Sequence, residues 1–423
     1  MSKRKVGVAD LQFGMYVTEL DRPWVGSPFM FQGFHIRSAE DLEKLHRVCK
    51  FVYIEDADEP DADARTIRLS VNARPGANPH RSRSEWQRIA SEERRVTFQR
   101  EFRRVAAVRA GTRRYVQKLL TDVRFGRAVD TEAAKQVVTE MVDRITADPD
   151  TALWLTQLRN MHEYTAQHCV NVSVLAITFA AHLGYSREQM QLIGLGALFH
   201  DIGKMRVPPQ ILDKPGPLTP KEFEIMKRHP LDGYEILKAT GQVPEQVLQI
   251  VRYHHERISG RGYPDGLRGD QISTAVLIVA ICDVYDALTS DRAYHHGISA
   301  DKGLHAMYQL SAENFGRELV QEFIKCIGIY PVGSVVELGT GALGVVMTKD
   351  PLNKLQPVVM LVRDSHGREY QPRRFVSLAG QATLDRKNDW RVRRVMEPKD
   401  CDMDMQRLAA DELLRGGHQV VHV

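Results

Sequence analysis

The chain has 423 residues, of which 43% are hydrophobic and 26% charged, and its net charge is +4. This length predicts two or three domains, and so small a net charge indicates neither a nucleic acid polymer nor any other partner. Five scattered cysteines without CxxC spacing argue against a disulfide framework or a thiolate zinc site, and they fit a reducing cytoplasm. The longest apolar run, Ala275 to Cys282, is too short to span a bilayer, and the first residues, which are basic without an apolar core, are not expected to form a signal peptide. We therefore expect a cytoplasmic protein without a membrane segment.

The N-terminal residues predict a small domain followed by a linker. Residues 1–57 combine short strand-like runs, glycine turns and one helical segment, AEDLEKLHRVC, which is typical of a small α/β module. Residues 58–84 are rich in Pro, Asp, Arg and Ser, and such a composition buries little apolar surface. This segment is predicted to be a mobile linker.

Residues 85–148 predict a helical connector. Its first part, Glu85 to Phe125, is rich in arginine, and its second helix starts at Asp130 and Thr131 with apolar residues at helical spacing. The arginines are interpreted as a solvated face whose aliphatic stems lie on a neighbouring element. Nucleic-acid binding is the alternative, but the segment contains no recognisable DNA-binding motif.

Residues 149–329 are predicted to be almost entirely helical. Gly184 ends one helix, Ser186 and Gln189 form a capping box that begins the next, and Thr219 begins another. Residues 330–423 change to short β-branched runs between glycines, followed by a helical stretch and a polar end, which predicts a small β appendage with a C-terminal tail. The expected fold is multidomain and mainly α.

Several histidines and aspartates occupy helical positions that should be apolar. Each alone could be a hydrogen-bonded core residue, and Asp283 could cap a backbone group or pair with Arg292. Together they would all require separate polar partners within one core, whereas one or two metal ions would satisfy them at once. The residues concerned are His168, His200, Asp201, His229, His254, His255 and Asp283.

The donor types limit which metal such a site would bind. Imidazole and carboxylate donors without thiolate suit iron, manganese, zinc or nickel, and seven donors exceed the four of a structural zinc site. A paired centre is therefore favoured, with Asp201 as the bridge because a carboxylate has two oxygens. Two metals about 3.5–4 Å apart with a bridging hydroxide are typical of phosphate ester hydrolysis. Lys204 is placed to hold a phosphate oxygen.

Four motifs in a fixed order carry a family resemblance. They are HDIGK (200–204), VPPQILDKPGPLTPKEFEIMKRHP, HHERISGRGYPDGL and DVYDALTSDRAY. The segment from about Asn160 to Val335 resembles the HD-GYP family, the HD-superfamily phosphohydrolases that degrade the bacterial second messenger cyclic di-GMP. The first 150 residues resemble the N-terminal domain that often precedes this module.

The resemblance implies two divalent metal ions, Fe or Mn, and a set of ligands for each. By that resemblance one metal is held by His168, His200, Asp201 and Asp283, and the other by Asp201, His229, His254 and His255. Some family members bind a third metal through a glutamate four residues before the first ligand. That position is Tyr164 here, so two metals are expected.

The resemblance also implies substrate contacts and a motif loop. Lys204 and Arg292 match the family's phosphate contacts, whereas His295 stands where a second basic residue often lies. Ser259 replaces the usual aspartate. The family's GYP loop, linked there to docking with GGDEF-domain proteins, corresponds to Gly260, Gly262, Tyr263 and Pro264. On purely structural grounds those glycines form a rigid turn.

The implied activity is that of a phosphodiesterase in bacterial signalling. A hydroxide bridging the binuclear centre would attack a phosphorus of cyclic di-GMP and expel the ribose 3′-oxygen, giving pGpG and/or GMP, with Asp201 and Lys204 as catalytic residues. One alternative is a non-catalytic cyclic di-GMP sensor or scaffold that docks GGDEF proteins, motivated by Ser259 and His295. Another keeps the chemistry but takes a different cyclic dinucleotide. A homodimer is compatible with each hypothesis.

Overall fold

The computed structural model describes residues 3–12, 15–21, 34–36, 39–55, 83–157, 164–290, 297–349, 355–379 and 389–415. These residues belong to two compact units, Met1–His80 and Arg81–Val423. Most of the predicted linker, together with Arg292 and His295, lies outside the described residues. In the described part of the chain, no helix combines the length and the apolar character needed to cross a bilayer.

The first unit is an antiparallel sheet with one helix, as the sequence predicts. The strand order in the sheet is β1-β4-β2-β3. Val52 and Ile54 alternate along β4 with the less buried Phe51 and Tyr53, so one face of the sheet is apolar. That face packs with Leu45 of the helix in a small separate core. The elements are β1 Lys3–Gly7, β2 Tyr16–Leu20, β3 Phe34–His35, α1 Ala39–Val48 and β4 Phe51–Glu55.

The second unit begins with a long helix and continues as a helical bundle. Its helices are α2 Arg83–Arg124, α3 Thr131–Ala147, α4 Pro149–Thr156, α5 Tyr164–His182, α6 Arg187–Phe199, α7 Pro209–Leu212, α8 Pro220–Met226, α9 His229–Lys238, α10 Glu245–Tyr253, α11 Thr274–Thr289, α12 Ala300–Asn314 and α13 Arg317–Ile327. The mainly α architecture predicted for this region is confirmed.

Side-chain caps explain where several of these helices begin. The Asp130 carboxylate accepts the Ala133 N–H at 3.0 Å and starts α3. Ser186 and Gln189 form a capping box at α6, and Thr219 and Glu222 form another at α8. All three starts match the predictions from sequence.

Helix α5 lies at the centre of the bundle. Its residues from Val170 to Ala180 are buried on every side, and α2, α3, α6 and α11 pack around it. A helix that is apolar all round needs such a complete surround. Polar residues that α5 carries, such as His168 and Asn171, are consequently buried and must find partners inside the bundle.

A five-stranded antiparallel sheet follows the helices, with the strand order β8-β7-β6-β5-β9. The predicted β-branched runs form its first three strands. The sheet shares the hydrophobic core of the helices, because Phe375 of β8 contacts Phe98 of α2 with ring centroids 5.7 Å apart. The elements are β5 Val335–Leu338, β6 Leu343–Thr348, β7 Val358–Arg363, β8 Glu369–Ser377, β9 Val392–Met396 and α14 Met405–Arg415.

Candidate metal centre

The seven predicted ligands converge on one place inside the helical bundle. His168 lies on α5, the His200–Asp201 pair follows α6, and His229 opens α9. The His254–His255 pair follows α10, and Asp283 lies on α11. Five helices thus supply polar side chains to a single buried volume. All seven residues are buried except His255, whose side chain is 19% exposed.

The ligand atoms form two groups with Asp201 between them. The ligand atoms of His168, His200 and Asp283 all lie within 4.8 Å of one another, and so do those of His229, His254 and His255. Asp201 Oδ2 is 3.2 Å from His200 Nε2, whereas Asp201 Oδ1 is 3.4 Å from His229 Nε2. Each oxygen of this carboxylate therefore faces a different group, as a bridging ligand requires.

Hydrogen bonds to backbone carbonyls orient three of the imidazoles. Nδ1 of His200 lies 2.7 Å from the Ala197 oxygen, Nδ1 of His229 the same distance from the Met226 oxygen, and Nδ1 of His254 is 2.9 Å from the Val251 oxygen. Because a carbonyl oxygen can only accept, each Nδ1 carries the proton. Each Nε2 is then left with its lone pair toward the centre, the arrangement common among metal-binding histidines.

The donor set and its unsatisfied atoms fit metal ions. Nε2 of His200 and Oδ1 of Asp201 are buried and have no hydrogen-bond partner among the described residues, and buried polar atoms of that kind are costly. A divalent cation held by each group would satisfy one of these atoms. Imidazole nitrogens combined with carboxylate oxygens suit Fe, Mn or Zn.

A sulfur atom also lies here, from one of the five cysteines that the sequence analysis did not expect to bind metal. Sγ of Cys169 falls within the same distance range of ligand atoms of His200 and Asp201. Burial raises the pKa of the Cys169 thiol well above its usual range, and the charge of Asp201 acts in the same direction. The thiolate is the metal-binding form of cysteine, so Cys169 would have to lose its proton before it could join the imidazole and carboxylate donors.

Three of the predicted ligands already have the charge state that metal binding needs. Burial by itself would raise the pKa of Asp201, but the neighbouring His200 and Lys204 hold it well below its usual range. Burial likewise opposes ionisation of Asp283, yet its hydrogen bond with His168 keeps its pKa low. Burial lowers the pKa of His229 to about 4. Two carboxylates and a neutral imidazole are thus available at neutral pH.

Lys204 is held close to Asp201 by a tightly packed turn. It lies in the 3-10 helix Ile202–Arg206, and its Nζ is 2.6 Å from Asp201 Oδ2. A side chain at Gly203 would clash with the carbonyl oxygen of His229, so glycine permits the close approach of this turn to α9. The Lys204 side chain is 23% exposed and therefore reaches from the buried carboxylate to the surface.

The GYP loop lies directly beside the centre. The Tyr263 ring stacks on His255 with centroids 4.7 Å apart and planes 31° apart. Gly262 has no room for a side chain because a Cβ would overlap the Glu256 backbone. Gly260 has φ +77°, a conformation that favours glycine. The Tyr263 N–H also donates to the His255 carbonyl oxygen at 3.3 Å, so a ring contact and a backbone hydrogen bond join the loop to His255.

Glu256 organises this loop, and the sequence analysis did not single it out. Its buried carboxylate accepts the N–H groups of Asp265, Gly266 and Leu267 at 2.7, 2.9 and 3.0 Å. The loop backbone is thereby fixed next to His255. The residue was visible in the sequence as an acid directly after two histidines, but nothing in that position reveals the three backbone donors.

Asp286 and Asn171 were also missed, although they orient a predicted ligand. Asp286 Oδ2 is 2.7 Å from His168 Nδ1, and Asp286 Oδ1 accepts from the Asn171 amide at 3.0 Å. A carboxylate behind a histidine fixes its tautomer and raises its basicity. The signal was their spacing, because Asp286 follows Asp283 by one helical turn and Asn171 follows His168 by one turn.

Two positions at which the sequence departs from the family, Ser259 and Tyr164, lie among the described residues. The buried Oγ of Ser259 has no hydrogen-bond partner in the part of the chain that the structure describes, and its backbone N–H donates to the Glu313 carbonyl. Tyr164 is the first residue of α5. The proposed pairing of Asp283 with Arg292 lies outside the described residues, and so does His295.

Comparison with known proteins matches two domain models to this chain. An HD domain model matches residues 149–319, and a model described as a domain of unknown function, DUF3391, matches residues 3–134. The chain is 35% identical over 390 residues to a cyclic di-GMP phosphodiesterase of Pseudomonas aeruginosa. The alignment covers 90% of this chain and 91% of that protein. It is 38% identical over 176 residues to the cyclic di-GMP phosphodiesterase response regulator RpfG of Xanthomonas campestris, covering 40% and 47% of the two chains.

Among solved structures, Bd1817, an HDGYP protein of Bdellovibrio bacteriovorus, aligns with a TM-score of 0.46 at 16% identity, covering 77% of this chain and 99% of that one. The family assignment depends on the Pseudomonas relative, whose similarity extends along nine-tenths of both chains, and on the HD-domain match across the helices that carry the histidines. The chain belongs to the HD-GYP family of HD-domain phosphodiesterases.

Proposed function

We propose that this protein hydrolyses cyclic di-GMP to linear pGpG and/or GMP with two divalent metal ions, Fe or Mn. The observation that carries the proposal is the position of Asp201, whose two oxygens face two separate groups of ligand atoms. The Pseudomonas relative, named as a cyclic di-GMP phosphodiesterase, supports the substrate.

Some side chains around the centre would hold metal, and others would hold substrate. When bound, the metal ions would supply a Lewis acid and a water nucleophile at neutral pH. His168, His200 and Asp283 would hold one ion, and the remaining three histidines the other, with Asp201 shared. Lys204 extends from Asp201 to the surface and would hold a phosphate oxygen as a point charge. Arg292 is proposed as the second phosphate contact.

A panel of cyclic dinucleotides tests the substrate. Purified protein loaded anaerobically with Fe(II) or Mn(II) is incubated with cyclic di-GMP and with 3′3′-cGAMP, and products are separated by chromatography. We expect cyclic di-GMP to be consumed faster, with pGpG or GMP as product. The second substrate is included because a 3′3′-cGAMP-specific phosphodiesterase of Vibrio cholerae is 38% identical over 146 residues. Faster turnover of 3′3′-cGAMP would overturn the proposed substrate while leaving the chemistry in place.

A non-catalytic sensor or scaffold is the second candidate, and Ser259 is the observation that favours it. Its buried hydroxyl stands where the family usually has aspartate, in the loop linked there to GGDEF docking. Protein that binds cyclic di-GMP with both metals present but leaves it intact would support this function. The docking of GGDEF-domain proteins, a homodimer and the cytoplasmic location stay predictions.

Metal binding is expected to release a proton from His168. Burial would lower the pKa of this imidazole, but its hydrogen bonds with Asp283 and Asp286 outweigh that effect and raise the pKa to about 9. A metal ion needs Nε2 deprotonated, so at pH 7 Mn2+ binding should release about one proton from this residue. The affinity for Mn2+ should therefore rise as the pH increases toward 9.

Without metal, the raised pKa of His168 stabilises the fold. This contribution is fully present below the unfolded pKa near 6.5, and it is lost as the pH rises through 9.

Calorimetric titration of Mn2+ at pH 7 in two buffers of different ionisation enthalpy measures the protons released. His182→Ala is a matched control, since His182 lies on the same helix but is only paired with Glu322 at the surface. The control should release as many protons as the wild type. Equal binding heats in the two buffers would show that His168 is already neutral and would contradict the prediction.

A further inference from the structure

A chain of hydrogen bonds connects the long helix α2 to the predicted ligand His168. Arg109 on α2 donates from Nη2 to the Asn171 Oδ1 at 3.2 Å. The Asn171 amide then donates to Asp286 Oδ1, and Asp286 Oδ2 accepts from His168 Nδ1. The other ring nitrogen of His168 is 3.0 Å from Asp283 Oδ1. Asn171, Asp286 and His168 are at most 4% exposed, so water does not compete inside this chain.

The chemistry of these groups allows only one order of donors and acceptors along this series of hydrogen bonds. A guanidinium can only donate, so the carbonyl oxygen of Asn171 must face Arg109 and its NH2 group must face Asp286. The carboxylate in turn accepts from both Asn171 and His168. Arg109 thereby fixes the amide orientation, and the amide fixes the carboxylate that orients the imidazole.

Arg109 also contributes charge to the network. Burial and the neighbouring Arg113 lower the pKa of Arg109 to about 10, while the charge of Asp286 acts in the opposite direction. The side chain consequently stays a cation at neutral pH. This partly buried cation at one end stabilises the carboxylate in the middle, and a charged carboxylate accepts the stronger hydrogen bond from His168.

We propose that Arg109 is a positioning residue that, through Asn171 and Asp286, holds His168 Nε2 toward Asp283 and Asp201. This role rests on the proposed function, because it assumes that His168 binds metal. It also couples the ligand group that contains His168 to the position of α2. That helix begins at Arg83, just after the first compact unit ends at His80.

The other three buried imidazoles have no such connection among the described residues. Nδ1 of His200, His229 and His254 bonds to a carbonyl of the same local segment, three residues earlier in the chain. A change at Arg109 should therefore act on the group that contains His168 and spare the group of His229, His254 and His255. This selectivity separates a positioning role from a general loss of structure.

Calorimetric titration of the metal-free full-length chain with Mn2+ tests the proposal. We expect two classes of site in the wild type. Arg109→Gln should weaken one class by about 2- to 30-fold, the range typical of residues that act through a network, and leave the other class unchanged. Arg109→Lys keeps the charge and should recover part of the affinity. Arg114→Gln is the matched control, because Arg114 lies on the same helix and is exposed; it should bind like the wild type.

The melting temperature of each metal-free variant is measured alongside. If Arg109→Gln folds poorly, the Mn2+ affinity of Arg109→Lys is compared with that of the wild type instead. Unchanged Mn2+ binding in Arg109→Gln and Arg109→Lys would overturn the positioning role, as would equal weakening of both classes. Wild-type protein that binds two Mn2+ but hydrolyses no cyclic dinucleotide would contradict the proposed function alone, since the binding comparison remains decisive for Arg109.

Discussion

Replacing Asp201 with asparagine is expected to lower the rate of cyclic di-GMP hydrolysis at least about 100-fold while the helical fold persists. Its two oxygens face separate ligand groups at 3.2 and 3.4 Å. An amide offers one oxygen and one NH2 group, which cannot bind a cation, so the side chain can serve only one group. Residues behind the ligands typically change metal affinity or activity 10- to 100-fold, and a shared ligand should exceed that range. Turnover of cyclic di-GMP and Mn2+ stoichiometry are the measurements.

The fold of this variant should survive because the substitution preserves shape and Lys204, the ion-pair partner of Asp201, is partly exposed and can be solvated. Circular dichroism and the melting temperature of the metal-free protein check this point. Asp270→Asn is the matched control, since Asp270 is exposed and outside the centre; it should keep wild-type turnover. A correctly folded Asp201→Asn protein with near-normal turnover and two bound Mn2+ would contradict the bridging role.

Local signals in the sequence were sufficient for several helix starts and for the seven predicted ligand residues, but not for Glu256, Asp286 and Asn171. Helix starts were predictable because capping depends on residues three apart, as with Ser186 and Gln189. The histidines and aspartates stood out because each interrupts an apolar helical pattern. Their roles as ligands stay predictions, but the structure does bring their ligand atoms together.

Contacts between distant segments were beyond the sequence. The pairing of Asn171 with Asp286 joins residues 115 positions apart, and that of Arg109 with Asn171 joins residues 62 apart. Periodicity reports which face of a helix is buried but not which helix covers it. For the same reason, the packing of Phe375 from the C-terminal sheet on α2 could not be predicted. Arg109 itself looked like one more member of an arginine-rich solvated face.

Glu256→Ala is expected to destabilise the second unit by about 3–5 kcal/mol, the cost typical of removing one partner from a buried charged interaction. The carboxylate is fully buried and accepts three backbone N–H groups, which would be left without an acceptor in the loop after Tyr263. Each hydrogen bond to a charged group contributes about 1.5–3 kcal/mol. The shift in the urea unfolding midpoint measures the effect.

Glu256→Gln separates hydrogen bonding from side-chain volume. An amide oxygen in place of Oε1 would still accept from Asp265 and Gly266, but the NH2 group would face the Leu267 N–H, so a smaller loss of about 1–3 kcal/mol is expected. Glu132→Ala is the control, because Glu132 pairs with Lys135 only at the surface and should leave the midpoint unchanged. An alanine variant as stable as the glutamine variant would mean that the loop finds other acceptors. We expect the stability to decrease from the wild type to Glu256→Gln and then to Glu256→Ala. Because Tyr263 stacks on His255, the Mn2+ affinity of the group containing His229, His254 and His255 should decrease in the same order.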